Sequence, residues 1–179
     1  MSVCVTKDMN TKKKLRIGQF GELAAGIYLE NKGYSVLAKN LRIYEGEVRG
    51  EIDILAVKDR VLHIVEVKTV CVTNLDHVIF APESNLSKMK VRKLRKLRSV
   101  LLMRVSEGES ILGGEVSIEK AISPISKVAI TGVAVTLSLN ASSFMDVNCY
   151  NCAEATTETT NNLIRKHLQS IKVRVFYDL

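Results

Sequence analysis

A disulfide framework, a membrane-spanning segment and an internal repeat are all missing from this chain of 179 residues. Its four cysteines follow no pairing pattern, which argues against a disulfide-stapled scaffold and points to a reducing compartment, with the cytoplasm as the expected location. The start, MSVCVTKDMNTKKKLR, is polar and basic and has no apolar run of the kind a secretory signal carries. The most apolar later stretch, Val128 to Leu139, is short and interrupted by Thr, Gly and Ser, so no membrane helix is expected. Cys149 and Cys152 form a lone CxxC with no second pair beside it, and are read as incidental. His77 falls in a loop and receives no role. Acidic residues are absent between Ser84 and Ser106, an absence that matters below.

What is present is a globular composition, 46% hydrophobic, on a chain long enough for one domain with a core and an appendage. The formal charge of +7 is unevenly spread. Residues 1–105 carry 20 Lys and Arg against 11 Asp and Glu, whereas residues 106–179 carry 6 against 8. A positive surface suits a polyanionic partner, although excess Lys and Arg also serve solubility alone.

The stretch GEIDILAVKDRVLHIVEVK, from Gly50 to Lys68, stands at the centre of the pattern. Apolar residues alternate at a period of two on both sides of Lys58-Asp59-Arg60, which predicts two strands joined by a turn. Asp53, Glu66 and Lys68 interrupt this apolar context. Glu66 and Lys68 are two apart and share a face. A hairpin centred near Asp59 sets residues 52–54 opposite residues 64–66, which brings Asp53 and Glu66 to ~5–8 Å between Cβ atoms. Two carboxylates on such a sheet suit Mg²⁺ or Mn²⁺, with Asp53 and Glu66 as ligands and Lys68 beside the phosphate. The same three residues also make sense as a half-buried ion-pair cluster.

Around this centre the elements follow in order. Residues 1–17 read as a flexible basic lead-in. Gly18 to Lys32 predicts a helix with Phe20, Leu23, Ala24, Ile27 and Tyr28 as its apolar stripe. Gly18, Gly21 and Ala25 are small enough to let it approach a sheet and direct Glu22 inward, although helical logic alone favours reading Glu22 as a first-turn acid stabilised by the helix dipole. Tyr34 to Ile43 predicts a strand, and Tyr44 to Arg49 a charged connection. Residues 70–84 read as a loop with weak strand character at Val78 to Phe80. Ser87 is the expected N-cap of a second helix striped by Leu94, Leu97 and Leu101. Its other faces carry Lys88, Lys90, Arg92, Lys93, Arg95 and Lys96. Like charges at i,i+4 repel, so an uninterrupted cationic surface points to phosphate contact, and the scarcity of aromatics within it to backbone rather than base recognition. Val128 to Leu139 is a strand or a hairpin about Gly132. Residues 106–170 read as an insertion, partly disordered, with a short helix at 162–170, and residues 171–179 as a final strand.

Laid out in this way, the sequence resembles the YraN family, small bacterial proteins predicted to be endonuclease-like and distantly related to archaeal Holliday junction resolvases. The resemblance rests on G18-x-x-G21-E22-x-x-A25-x-x-Y28-L29, G33-Y34, N40-x-R42, G50-E51-I52-D53-I54-L55, V65-E66-V67-K68-T69 and S87-x-x-K90-x-x-x-L94, with an echo at V173-R174-V175-F176. It implies a restriction-endonuclease-like α/β core of the PD-(D/E)xK group: a mixed four-stranded sheet flanked by helices in the order αβββαβ, over residues 18–105 and 171–179. It further implies Glu22, Asp53, Glu66 and Lys68 as the catalytic constellation.

The function expected from residues and resemblance together is a Mg²⁺- or Mn²⁺-dependent nuclease acting on nucleic-acid phosphodiesters, DNA ahead of RNA and branched or structured DNA among the substrates. Membrane partners are not expected, and a homodimer is among the arrangements that relatives of the fold adopt. The rival expectations are a nucleic-acid-binding module without catalysis and a docking domain for an acidic protein.

Overall fold

The computed structural model describes residues 11–72, 86–108, 125–138 and 171–177. The expectations for residues 1–10, His77, the strand character at residues 78–80, the Cys149/Cys152 pair and the helix at 162–170 lie outside the described residues.

Among the described residues two helices, α1 (Thr11–Asn31) and α2 (Lys88–Glu107), accompany five strands: β1 (Ser35–Glu45), β2 (Val48–Lys58), β3 (Val61–Val72), β4 (Lys127–Ser138) and β5 (Ile171–Tyr177). The strands lie side by side in the order β1-β2-β3-β4-β5. All neighbours are antiparallel except β3 and β4, which run parallel and are linked in sequence through α2. The expected αβββαβ order is therefore present, with a fifth strand added.

The extra strand has a local cause. The sequence leaves Val128 to Leu139 open as a strand or a hairpin about Gly132, and β4 runs straight through the glycine as a strand. A Cβ there would lie 2.0 Å from two ring atoms of Phe176, so the glycine makes room for an aromatic from β5 rather than bending the chain. The apolar run around Gly132 is consequently one strand, lying between β3 and Ile171–Tyr177 in the sheet. Similarly, the charged segment after Tyr44 is no open connection. β1 continues to Glu45, and Glu45 pairs with Val48 across a tight turn that places Gly46 at a positive φ of 54°.

The two helices bury their stripes on opposite faces of the sheet. Ile17, Phe20, Ala24, Ala25, Ile27 and Leu29 of α1 meet Ile54, Ala56, Val65, Val67, Val133 and Val135. Leu94, Leu97, Val100 and Leu101 of α2 meet Ile43, Ile52, Leu55, Val57, Leu62, Ile64, Val128 and Ile130. α1 begins at Thr11, earlier than the glycine-based start suggests. α2 starts where expected: Ser87 accepts from the amide of Lys90 at 3.2 Å, and Gly108 closes the helix in the left-handed conformation.

One irregularity shapes the site. Side chains two apart on a strand share a face, yet Ile52 belongs to the α2 core and Ile54 to the α1 core. The alternation slips at Asp53. On the neighbouring strand, Lys39 reaches Gly26 of α1 whereas Leu41 packs on the α2 core. Asn40 lies between them with φ of 52°. The two slips fall opposite each other, between the pairs Lys39–Ile54 and Leu41–Ile52. The β2–β3 pairing extends no further than Ile54–Val65. Beyond this kink the outer half of the β1–β2 hairpin turns towards α2, where a Cβ on Gly50 would lie 2.7 Å from Leu97 and Arg104 pairs with Glu45.

Candidate functional site

The kink leaves a gap between β2 and β3, and Asp53 fills it. Where a backbone pair would follow Ile54–Val65, the Asp53 Oδ2 accepts the amide of Val67 at 2.7 Å. The carboxylate thus takes the place of a ladder partner and is fixed in orientation. Burial, then the neighbouring Glu66, raise its pKa from 3.8 to about 6, against the pull of the Val67 amide and of Lys90; Glu22 adds a smaller upward push.

Glu66 is carried on the face of β3 towards α2 and is 1% exposed. Lys68, two residues on, donates to its Oε1 at 2.7 Å. The Lys90 ammonium lies 2.7 Å from Oε2. At this charge-assisted distance both oxygens of the buried Glu66 carboxylate face an ammonium. Both lysines keep about a third of their side-chain surface in solvent, at 32% and 29%.

Glu22 reaches the same patch from α1. A Cβ on Gly21 would lie 1.8 Å from Thr69 Oγ1 on β3, so only glycine permits the helix to sit this close. Gly18 has no such part, since a Cβ there meets nothing within 4 Å. Burial raises the Glu22 carboxyl, a hydrogen bond from the Asn40 side chain lowers it, and Glu51 and Glu66 push it up while Lys68 pulls it down. The structure therefore brings together Glu22, Asp53, Glu66 and Lys68.

The cationic residues divide. Lys88, Arg92, Lys93, Arg95 and Lys96 are exposed on α2. Lys90 is turned inward onto Glu66 instead of joining them. Its spacing explains this: Lys90, Leu94, Leu97 and Leu101 recur at intervals of four, three and four, so the lysine heads the buried stripe. That signal was present in the sequence, masked by the surrounding basic residues. Asn40 was also missed, since an Asn in a strand carries no mark of a positive φ or of a carboxylate partner.

A divalent ion has a donor set here to fit. Asp53 and Glu66 supply hard oxygens, and a cation would offset both the burial and the Glu66 charge that raise Asp53. Among the described residues no group of three His, Cys, Asp or Glu forms a metal-binding cluster unaided. Two protein carboxylates completed by water and substrate are nevertheless usual for Mg²⁺.

The fold and patch define an α/β protein built on a mixed sheet, with acids and lysines gathered where two strands part. The profile described as "Uncharacterised protein family UPF0102" matches residues 21–117. The chain belongs to this family, the YraN family whose motifs it carries. It is 36% identical over 90 residues to a UPF0102 protein of Symbiobacterium thermophilum, covering 50% of this chain and 70% of that one. It is 48% identical over 62 residues to one of Dichelobacter nodosus, covering 35% and 44%. With a relative from Clostridium perfringens it shares 43% identity over 53 residues, 30% and 40% of the two chains. The match thus spans less than half the length of the latter two relatives. No helix among the described residues is long and apolar enough to cross a membrane.

Proposed function

We propose that the protein is a divalent-metal-dependent nuclease that hydrolyses nucleic-acid phosphodiester bonds. The observation that carries this reading is the meeting of Glu22, Asp53 and Glu66, from three separate elements, within reach of one another's charge. Ordinary structural packing avoids such a gathering, because each added carboxylate raises the cost of ionising the others.

Asp53 and Glu66 are the residues to hold Mg²⁺ or Mn²⁺. The chemistry a divalent ion supplies at such a site is a more acidic water and neutralised phosphoryl oxygens. Asp53 is held at a fixed angle by the Val67 amide, so it offers its second oxygen without a reorganisation cost. Glu22, half-buried and raised in pKa, orients water at the edge of the patch and can receive its proton. Lys68, hydrogen-bonded to Glu66 yet partly in solvent, places a positive charge where a phosphate would approach. Lys88, Arg92, Lys93, Arg95 and Lys96 give α2 an exposed cationic surface to hold the backbone.

The test is purified protein incubated with branched, nicked and single-stranded DNA and with RNA, in Mn²⁺, in Mg²⁺ and in chelator. Cleavage that needs the metal and disappears in Asp53→Asn supports the reading. Cleavage of none of these substrates, or cleavage indifferent to Asp53→Asn, contradicts it.

A second reading draws support from the pairing of Glu66 with two lysines. A neutralised cluster serves a nucleic-acid-binding module that has no catalysis. In that case binding persists in chelator, and calorimetry with Mn²⁺ gives no heat.

A further inference from the structure

Glu66 carries two ammonium groups, one on each oxygen, both at 2.7 Å. The two contacts differ in origin. Lys68 comes from the same strand as Glu66. Lys90 comes from the helix that carries the exposed cations, so its ammonium is not tied to that strand. Its side chain is 29% exposed, so the ammonium has a path to solvent along its own stem. The patch as a whole sets three carboxylates against two lysines, and Lys90 supplies charge that a divalent cation would otherwise bring.

Resting on the metal-site reading above, we infer that Lys90 is a tethered counter-ion, a positioning residue that links the acid patch to nucleic-acid binding. It pairs with Glu66 while no cation is present. A divalent ion held by Asp53 and Glu66 would displace the ammonium towards the solvent-facing side of α2, where it would meet a substrate phosphate. Metal and nucleic acid therefore each strengthen the binding of the other. This reciprocity follows from linkage and holds in both directions.

The experiment measures Mn²⁺ affinity by calorimetry, and the affinity for a single-stranded DNA carrying non-hydrolysable linkages with and without Mn²⁺. The proteins are the wild type, Lys90→Met, Lys90→Arg and Lys93→Met, each checked for folding by circular dichroism. Lys90→Met is expected to bind Mn²⁺ about tenfold more tightly than the wild type, since a competing charge is gone. Lys93→Met removes the same charge from the next turn and is expected to change Mn²⁺ affinity less than about twofold. In the wild type Mn²⁺ strengthens DNA binding by about fivefold or more; in Lys90→Met this enhancement is lost, and Lys90→Arg retains it.

Should Lys90→Met fail to fold, Lys90→Gln serves in its place with the same expectations. Mn²⁺ affinity in the Met or Gln variant equal to or weaker than in the wild type, or an enhancement that survives the substitution, overturns the inference. If Mn²⁺ binds the wild type and Asp53→Asn abolishes that binding while Lys90→Met changes nothing, only this inference falls. If none of the proteins binds Mn²⁺, the metal-site reading falls with it.

Discussion

Asp53 accepts the backbone amide of Val67 at 2.7 Å, at the point where β2 ceases to pair with β3. A side chain thus completes a ladder that the backbone abandons, and the same side chain is the most perturbed acid of the site. Both properties arise from one kink. The slip at Asn40 and Asp53 turns the outer hairpin towards α2 and opens the sheet beside Glu66. Into this opening α1 delivers Glu22, and α2 delivers Lys90.

The perturbation of Asp53 sets a pH dependence. Its folded pKa, about 6, lies above the ordinary 3.8, so between these values the folded state holds more protons than the unfolded one. Its contribution to stability therefore falls as pH rises through that window and is constant above it. Asp53→Asn keeps an oxygen for Val67 and carries no charge. It is expected to be more stable than wild type at neutral pH by about 1–2 kcal/mol, an advantage that disappears below pH 3.8. Urea unfolding at both pH values measures this. A constant difference, or a destabilised variant at neutral pH, contradicts the assignment.

Glu66→Gln has the opposite sign. The glutamine keeps the volume but removes the anion between two lysines that approach to 2.7 Å. Breaking a buried pair costs about 3–5 kcal/mol when the remaining charge stays buried. Here both ammonium groups can reach water, so a loss of about 1–3 kcal/mol is expected. Denaturant unfolding provides the measurement, and no loss at all would mean that the two lysines contribute nothing to Glu66's burial.

Gly132 and Phe176 offer a test of the fold itself. Gly132→Ala places a methyl group 2.0 Å from the Phe176 ring and is expected to displace β5. Phe176→Ala removes the obstacle, so adding Gly132→Ala to that variant is expected to cost less than about 0.5 kcal/mol. Strict additivity of the two substitutions would place the ring elsewhere.

How much of this was legible in the sequence follows from which physical signals are local. The hairpin from Gly50 to Lys68 declared itself through alternation, and α2 through its cap and leucine stripe. Gly21 was legible as a close-approach residue, and Thr69 is what it approaches. Gly132 left strand and hairpin both open because a turn and a tight contact both call for glycine, and only the partner strand distinguishes them. Lys90 misled because charge suggests the surface, whereas its place on the Leu94–Leu97–Leu101 stripe directs it inward. Asn40 was silent because its role depends on a kink shared by two strands, which no pattern within one strand can announce.

The exposed side of α2 predicts how binding responds to salt. Neutralising Arg92, Arg95 or Lys96, all exposed, is expected to weaken nucleic-acid binding without regard to sequence. Each substitution is also expected to reduce the slope of log K against log salt by about 0.7–0.9. Fluorescence anisotropy across a salt series measures both, and an unchanged slope in the triple variant would remove α2 from the interface.

The central claim is that Asp53 and Glu66 jointly hold a divalent cation. Anomalous diffraction from crystals soaked in Mn²⁺ addresses it directly. The account predicts a peak between the two carboxylates, absent in Asp53→Asn, with Lys90 turned away from Glu66. A site that stays empty at saturating Mn²⁺, with Lys68 and Lys90 still seated on Glu66, would contradict it.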